Sequence, residues 1–147
     1  MLKGIHPLLH PNLLQALAAM GHGDEIAIVD ANFPTATFSR RIVQLIGASA
    51  SEALDAILSV FPLDTFVVPA AFTMEVVGDP EAVPEPVREF ASVFTRHELA
   101  DAEIGRLERS AFYERARGAY AVVRTSDIRP YGNLLLVKGV VNAWPPG

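Results

Sequence analysis

Residues 25–30, with the sequence EIAIVD, constrain the fold more than any other segment of the chain. Apolar side chains occupy consecutive positions here. Because successive side chains of a strand point to opposite faces, both faces of this strand must be buried. Strands of this kind are typical of a sheet that helices cover on both sides. We therefore expect a parallel or mixed central sheet as the middle layer of the molecule.

Helix and strand patterns alternate along the rest of the chain. Helices are predicted in segments 10–21, 51–61, 85–98 and 109–118, and strands in segments 25–30, 40–47, 65–72, 119–126 and 131–141, with Pro69 interrupting the third strand. The expected fold is α/β, a single-domain three-layer α/β/α sandwich around a mostly parallel or mixed sheet. Residues 1–141 are expected to form this domain, and residues 142–147, NAWPPG, a C-terminal tail.

Two of the predicted helices have a clear apolar stripe. In segment 51–61, spacings of three and four residues place on one face Leu54, Ile57, Leu58 and Phe61. In segment 85–98 the expected buried stripe consists of Val87, Phe90, Ala91 and Phe94. Each stripe predicts the face of the helix that packs into the core.

Composition excludes several classes of function. The chain has no cysteine, which removes disulfides, thiolate catalysis and cysteine-ligated metal centres. A net charge of −5 supplies no basic surface for the phosphates of a nucleic acid. No segment approaches the roughly 18 consecutive apolar residues of a transmembrane helix, and the first residues, MLKGIHPLLHP, lack the apolar stretch of a signal peptide. We expect a cytoplasmic protein with neither a nucleic-acid nor a membrane partner.

The hydrophobic content is high for a chain without a membrane segment. Half of the residues are hydrophobic, and the mean hydropathy is +0.27. A single domain of this length leaves part of its apolar surface exposed, and association with further copies would cover it. A homo-oligomer is therefore expected.

The glycine-flanked histidine His22 and the strand-end aspartate Asp30 are the first candidates for a functional site. Imidazole can give and take a proton near pH 7, although a histidine in such a turn can also be an exposed or locally bonded residue. Asp24 either orients the imidazole or caps the turn. Asp30 is either a ligand acceptor, as is common beyond the carboxyl end of a strand, or a turn residue. His22 precedes the strand that Asp30 follows, so a neighbouring subunit or a loop is needed to unite them.

Further candidates lie in the last third of the chain. Tyr131, Gly132 and Asn133 place a hydroxyl, a small residue and a carboxamide on one bend, where a plain turn is the alternative. Arg109 stands among other charges and could equally form surface ion pairs. Tyr120 either anchors its hydroxyl in a strand or faces a ligand.

These side chains favour a neutral ligand rich in hydroxyl groups, although they suit other ligands too. Each hydroxyl can be matched by a donor or acceptor among imidazole, carboxylate, guanidinium, phenol and carboxamide. A single histidine with scattered acids is a weak metal signature, so no metal is expected. The glycines match neither G-x-G-x-x-G nor G-x-x-x-x-G-K, which leaves nucleotide binding without support.

Four segments carry a resemblance to a known family. The segments MLKGI, LLQALAAMGHGDEIAIVDANFP, FYERARGAYAVVRT and YGNLLLVKGVV resemble, in this order, the ribose pyranase and fucose mutarotase family, and GHGDEI and DANFP are similar to its L-fucose mutarotase branch. The resemblance spans residues 1–141. It implies a small cytosolic enzyme without a cofactor that interconverts the α and β anomers of an unphosphorylated sugar, built as a ring-shaped homodecamer with sites at subunit interfaces.

The resemblance also assigns roles to the candidate residues. It implies that His22 is the catalytic acid–base group and that the substrate is bound by Asp30, Arg109, Tyr120, Tyr131, Gly132 and Asn133. The family has tyrosine or phenylalanine at the position of Tyr120, and a tyrosine there leaves a ribose pyranase activity open. Two alternatives therefore accompany the expected mutarotase: a D-ribose pyranase, and a non-catalytic monosaccharide-binding protein on the same scaffold.

Overall fold

A six-stranded mixed sheet lies between two layers of helices in the computed structural model, which describes residues 1–145. In chain order the elements are α1 (Pro11–Ala19), β1 (Glu25–Val29), α2 (Thr35–Phe38), β2 (Ile42–Leu45), α3 (Ala50–Leu58), β3 (Ala71–Met74), α4 (Glu85–Arg96), β4 (Ile104–Leu107), α5 (Arg109–Gly118), β5 (Ala121–Thr125) and β6 (Leu134–Val137). The predicted α/β architecture is confirmed.

The sheet has the strand order β2–β5–β1–β6–β3–β4. β1 pairs in parallel with β5, and β5 with β2, while β3 and β4 form a second parallel pair. β6 joins the two halves because it runs antiparallel to both β1 and β3. No helix within residues 1–145 combines the length and apolar character needed to cross a bilayer.

Both faces of β1 are buried, as its sequence predicts. Ile26 and Ile28 belong to the larger core cluster, which contains the apolar faces of α1, α3 and α4. Ala27 and Val29 point to the opposite face and belong to the smaller cluster with α5. The alternation of side chains along one strand thus defines the two helical layers.

The helix α3 follows its sequence pattern closely. The side-chain oxygen of Ser49 accepts a hydrogen bond from the backbone N–H of Glu52. The Glu52 carboxylate in turn accepts one from the backbone N–H of Ser49, and this capping box starts the helix. The predicted stripe of Leu54, Ile57, Leu58 and Phe61 is buried throughout. The predicted buried stripe is confirmed, but the helix ends at Leu58, so Phe61 packs into the core from the segment after it.

The predicted stripe of α4 is wrong at one position. Phe90 and Phe94 are buried as expected and Val87 is half-buried, but Ala91 is exposed and Val93 takes the core position instead. The helix turns its 90, 93 and 94 positions toward the core. A small alanine beside two phenylalanines carries little information about the phase of a helix, so tertiary packing decides it.

The predicted strand 65–72 is misplaced, since the observed strand is Ala71–Met74, the predicted strand 131–141 is too long, and two short elements were missed. Pro69 has no N–H to donate, and β3 starts only at Ala71, so residues 65–68 form bends with Phe66 and Val68 exposed. Segment 131–141 contributes only Leu134–Val137 to the sheet. β4 lies at a sheet edge with a half-exposed pattern, and α2 has four residues, so neither produces a periodic signal.

The predicted tail begins after the sheet ends. Residues 142–145 contain neither helix nor strand, and Trp144 is exposed. Pro146 and Gly147 of this predicted segment lie outside the described residues. The boundary between domain and tail stays a prediction.

The burial of Val93 and the exposure of Ala91 in α4 lead to a prediction about stability. Val93→Asp places a carboxylate in the core and should lower the free energy of unfolding by about 3 kcal/mol or more. Ala91→Asp, on the exposed side of the same helix, should cost less than about 1 kcal/mol. Urea unfolding followed by circular dichroism at equal protein concentration compares them, and equal losses would contradict the described orientation of the helix.

Candidate functional site

A cleft of about 340 Å³ opens at the carboxyl ends of β1, β3 and β4. Its lining consists of Asp30, Asn32, Phe33, Met74, Val77, Arg109, Tyr113, Pro130, Tyr131 and Asn133. β6 is antiparallel, so its amino end, next to Asn133, reaches the same edge. Ligands of open α/β sheets bind outside the carboxyl ends of the strands, and this volume is at the lower limit for small-molecule sites.

Asp30 and Asn133 form the floor of the cleft. The side-chain oxygen of Asn133 accepts the backbone N–H of Asp30 at 3.0 Å, and Oδ1 of Asp30 accepts the N–H of Asn32 at 2.9 Å. Both side chains are about 95% buried. Burial raises the pKa of the Asp30 carboxyl above its usual range, and the hydrogen bonds from Asn32 and Asn133 offset this only in part. The hydrogen bonds from Asn32 and Asn133 hold the Asp30 carboxyl in one orientation.

Arg109 begins α5 at one side of the cleft. Its Nε donates to the hydroxyl of Tyr113 at 3.2 Å, one helical turn later. Within residues 1–145, the two terminal nitrogens of Arg109 have no protein partner. Glu108 caps the helix by accepting the N–H groups of residues 110 and 111. The guanidinium is thus oriented through one nitrogen and keeps donors for a ligand.

Tyr131 and Gly132 enter the cleft from the β5–β6 connection. Tyr131 has a φ of 61°, a left-handed conformation that is rare for a residue with a side chain. Its hydroxyl accepts the backbone N–H of Val77 at 3.0 Å. Gly132 is buried against the Cβ of Asp30. The bend predicted from the sequence therefore brings Tyr131, Gly132 and Asn133 to Asp30.

His22 lies at the opposite end of β1. The five residues of this strand separate it from Asp30 by roughly 16 Å at about 3.3 Å per residue. Its Nε2 is 3.0 Å from Oδ1 of Asp64, and its ring packs on Phe66 at a centroid distance of 4.9 Å. A second cavity of about 470 Å³ adjoins it. The expectation that His22 and Asp30 do not meet within one chain agrees with this geometry.

Asp64, which the sequence analysis did not single out, is the partner of His22. The Asp64 side chain is 2% exposed and that of His22 is 44% exposed. Burial favours the neutral acid, but hydrogen bonds from the N–H groups of Phe66 and Val67 and from His22 outweigh it and lower the pKa of Asp64. An ionised carboxylate can only accept a hydrogen bond, so the proton of the neutral ring lies on Nε2. Nδ1 is then left as an acceptor.

The alternatives for Asp24 are resolved by its contacts. Its carboxylate accepts the N–H of Gly21 at 2.7 Å and so caps the turn. Asp64 orients the ring of His22 from 42 residues away. No local pattern could have indicated Asp64, whereas Tyr113 could have been found from its spacing of four residues from Arg109 on one helix.

Tyr120 occupies a third position. It is half-buried at the start of β5, where its N–H donates to the carbonyl of Glu25 at 2.8 Å. The guanidinium of Arg41 lies 3.8 Å from its ring centroid and donates to its carbonyl oxygen. Tyr120 thus lies at the end of the sheet that carries His22. Within residues 1–145 no group of three His, Cys, Asp or Glu side chains is arranged to hold a metal ion.

The raised pKa of Asp30 generates a prediction about stability. An ionised carboxylate that the fold disfavours lowers the free energy of unfolding at neutral pH. Asp30→Asn removes this charge, so it should raise the melting temperature at pH 7 to 8. The gain should shrink as pH falls through the raised pKa of Asp30 toward the usual carboxyl pKa of 3.8, below which the carboxyl is protonated in both the folded and the unfolded chain. Thermal unfolding between pH 4 and 8 measures it.

Asp127 offers a matched control of opposite sign. Side-chain hydrogen bonds from Arg129 lower the pKa of Asp127, which is equally buried. Its ionised form therefore stabilises the fold above the usual pKa, and this contribution is lost as pH falls through the lowered value. Asp127→Asn should reduce the melting temperature at neutral pH. A loss of stability in both variants would contradict the assignment for Asp30.

Comparisons with known proteins agree with this architecture. The L-fucose mutarotase of Glaesserella parasuis serovar 5 (strain SH0165) is 43% identical over 141 residues, which cover 95% of this chain and 96% of that protein. The crystal structure of the fucose mutarotase in complex with L-fucose from Streptococcus pneumoniae superposes with a TM-score of 0.89 at 38% identity, covering 95% of this chain and 99% of that one.

A more distant structure shares the fold alone. Bacillus subtilis RbsD, complexed with D-ribose, superposes with a TM-score of 0.74 at 24% identity and covers 95% of this chain and 98% of that one. The model of the RbsD / FucU transport protein family matches residues 3–141. With a family match and a 43% identical relative that both extend over nearly the whole chain, the chain belongs to the RbsD / FucU transport protein family.

Proposed function

We propose that the chain is a sugar mutarotase, an isomerase that interconverts the α and β anomers of unphosphorylated L-fucose. The observation that carries this function is the cleft in which Asp30, Arg109, Tyr131 and Asn133 converge. Carboxylate, guanidinium, phenol and carboxamide groups can each match a sugar hydroxyl, and no phosphate-binding loop is present in the sequence. The name of the 43% identical relative, L-fucose mutarotase, supports this choice.

The reaction is a proton-transfer isomerisation. The ring oxygen gains a proton while the anomeric hydroxyl loses one, so the bond between the anomeric carbon and the ring oxygen breaks and an aldehyde forms. After rotation about the adjacent carbon–carbon bond, the ring closes on either face and the protons return. Positioned acid–base groups typically accelerate such steps by about 10² to 10⁴. The two anomers have the same composition and oxidation state, so the reaction needs no cofactor.

His22 is proposed to donate the proton to the ring oxygen and to recover it on closure. Its imidazole is half-exposed, and an imidazole can both give and take a proton. Asp64 holds Nε2, so the proton is exchanged at Nδ1.

The cleft residues are proposed to bind the sugar. Asp30, Arg109 and Asn133 hold hydroxyl groups, and Tyr131 packs on or hydrogen-bonds to the ring. Gly132 lets the chain approach the sugar closely. Tyr120 is proposed as a further contact, from the same end of the sheet as His22.

We propose that two copies of the chain complete each site. His22 and Tyr120 lie at one end of the sheet and the cleft lies at the other, so a second copy has to bring them together. The surface next to His22 is unusually apolar, with the large exposed side chains Val60, Phe66, Val67, Val68, Val140 and Val141. Contact between copies would cover it. The family resemblance implies a ring-shaped homodecamer in the cytoplasm, which we adopt as the proposed assembly.

The first functional prediction concerns His22. Saturation of one anomeric proton signal of L-fucose should transfer to the other only when the protein is present, and His22→Ala should abolish this transfer without changing the assembly. His97→Gln is the matched control, because His97 also contacts an aspartate, Asp55, but lines neither the cleft nor the cavity beside His22. It should retain full exchange. Retained exchange in His22→Ala would exclude the proposed acid–base role.

The same experiment separates the alternatives. D-ribose in a parallel sample tests the pyranase, whose signature is catalysed exchange between pyranose and furanose signals. Binding of L-fucose without any catalysed exchange in the assembled protein would support the non-catalytic monosaccharide-binding protein. We expect catalysed exchange of L-fucose to appear at a lower protein concentration than catalysed exchange of D-ribose.

The second prediction concerns the composite site. His22→Ala and Arg109→Ala should each be inactive alone because every site lacks one contribution. Refolding the two variants together should restore activity, since random mixing leaves about a quarter of the interfaces with both groups intact. Gel filtration checks that the mixture assembles. Continued inactivity of a mixed assembly would show that both residues act from one chain.

A further inference from the structure

The connection between β5 and β6 is held by charged side chains on the side away from the cleft. Asp127, in this connection, is 5% exposed. Its carboxylate accepts the backbone N–H of Ala50 at the start of α3, at 3.1 Å. Its backbone carbonyl accepts the N–H of Ala31, directly after Asp30, at 2.8 Å. Asp127 therefore connects the segment that carries Tyr131 to the segment that carries Asp30.

Arg129 connects Asp127 to the helix α4. Its Nε and Nη2 donate to the two carboxylate oxygens of Asp127 at 3.0 and 2.9 Å. Nη1 and Nη2 donate to the two oxygens of Glu89 at 2.6 and 2.9 Å. The hydroxyl of Ser51 on α3 also donates to Glu89, at 2.6 Å. The guanidinium is thus fixed between two carboxylates, each held by a pair of charge-assisted bonds.

Tyr131 follows Arg129 by two residues and has an unfavourable backbone conformation. A left-handed φ is unfavourable for a residue with a side chain and persists only where the surroundings hold it. On the cleft side, the hydrogen bond between the N–H of Val77 and the Tyr131 hydroxyl holds the side chain. Two residues before Tyr131, the backbone N–H of Arg129 donates to Oδ1 of Asp127 at 3.1 Å, so the backbone is also held at this point.

We propose that Arg129 is a positioning residue for Tyr131. Its bonds to Asp127 and Glu89 hold the connection in the conformation that directs the phenol of Tyr131 into the cleft, so they determine the affinity for sugar without touching it. The effect on sugar affinity rests on the proposed function. The effect on Tyr131 does not, because it concerns the geometry of the chain alone.

The geometry of the guanidinium predicts a graded series of variants. Arg129→Ala removes all four bonds to the carboxylates. Arg129→Lys keeps the positive charge but cannot bond to both carboxylates in the same paired way. Its effect on Tyr131 should therefore be smaller than that of Arg129→Ala. Glu89→Gln keeps one oxygen acceptor and replaces the other with an amide nitrogen, so it weakens the bonds between Arg129 and α4 and leaves those to Asp127 in place. Arg96→Ala is the matched control, since Arg96 lies on the same helix as Glu89 and, among residues 1–145, forms its ion pair with Asp55, at 3.4 Å.

Fluorine NMR can follow Tyr131 directly, because the chain has three tyrosines. Protein labelled with 3-fluorotyrosine should give three signals, which Tyr→Phe variants assign. In Arg129→Ala the Tyr131 signal should shift or broaden relative to the unmodified protein. Arg129→Lys and Glu89→Gln should have smaller effects, and Arg96→Ala should have none.

Exchange kinetics with L-fucose then test the consequence for the site. Arg129→Ala should raise KM about tenfold while changing kcat much less, as expected for contacts shared by bound substrate and transition state. Arg129→Lys should recover part of the affinity. Should Arg129→Ala fail to fold, Glu89→Gln decides, because the Glu89 side chain is partly exposed and tolerates a neutral amide.

Two results would overturn the proposal. An unchanged Tyr131 signal in Arg129→Ala or Glu89→Gln would show that Arg129 does not position Tyr131. A changed signal with an unchanged KM would show that this positioning has no effect on the sugar. If the unmodified protein catalyses no exchange, the proposed function fails, and the fluorine signals still decide whether Arg129 holds Tyr131.

Discussion

Burial of β1 on both faces is the constraint on which the rest of the structure depends. Its side chains from Ile26 to Val29 are fully enclosed, and β5 and β6 occupy its two edges. No reactive group can reach solvent from within such a strand. Polar chemistry is therefore confined to its ends, where His22 precedes it and Asp30 follows it. The strand that organises the core also separates the two groups that the proposed reaction has to combine.

Asp30 and the pair of His22 and Asp64, at the two ends of β1, lie in different electrostatic environments. Asp30 is enclosed with Asn133 at the cleft floor, where burial raises its pKa and ionisation works against the fold. At the other end the Asp64 carboxylate is buried and His22 is half-exposed, with the pKa of Asp64 lowered by the donors around it. One end thus holds a carboxyl fixed by backbone and side-chain hydrogen bonds, which is proposed to bind the sugar, and the other an imidazole with a fixed tautomer. Preorganised groups of this kind need no rearrangement when charge moves.

Sequence patterns predicted elements well where two local signals agree. α3 has both a capping box and a regular apolar stripe, and the predicted stripe is buried, although the helix ends at Leu58, three residues before the predicted end. α4 has a proline at its start but an ambiguous stripe, and Val93 replaces Ala91 in the core. Pro69 limits β3 to Ala71–Met74, because a strand needs backbone donors that proline lacks. The site residues from Asp30 to Asn133 were recognised through short motifs and a family resemblance, and their assigned roles stay proposals.

The sequence by itself determined the class of fold, the covered central strand and the placement of His22 and Asp30 at its two ends. These features depend on the order and spacing of neighbouring residues, which side-chain periodicity reads directly. Tertiary structure alone decided that Asp64 orients His22, that Glu89 holds Arg129 and that Val77 holds Tyr131, across separations of 42, 40 and 54 residues. Such contacts form only when separate elements pack together, so no local pattern encodes them.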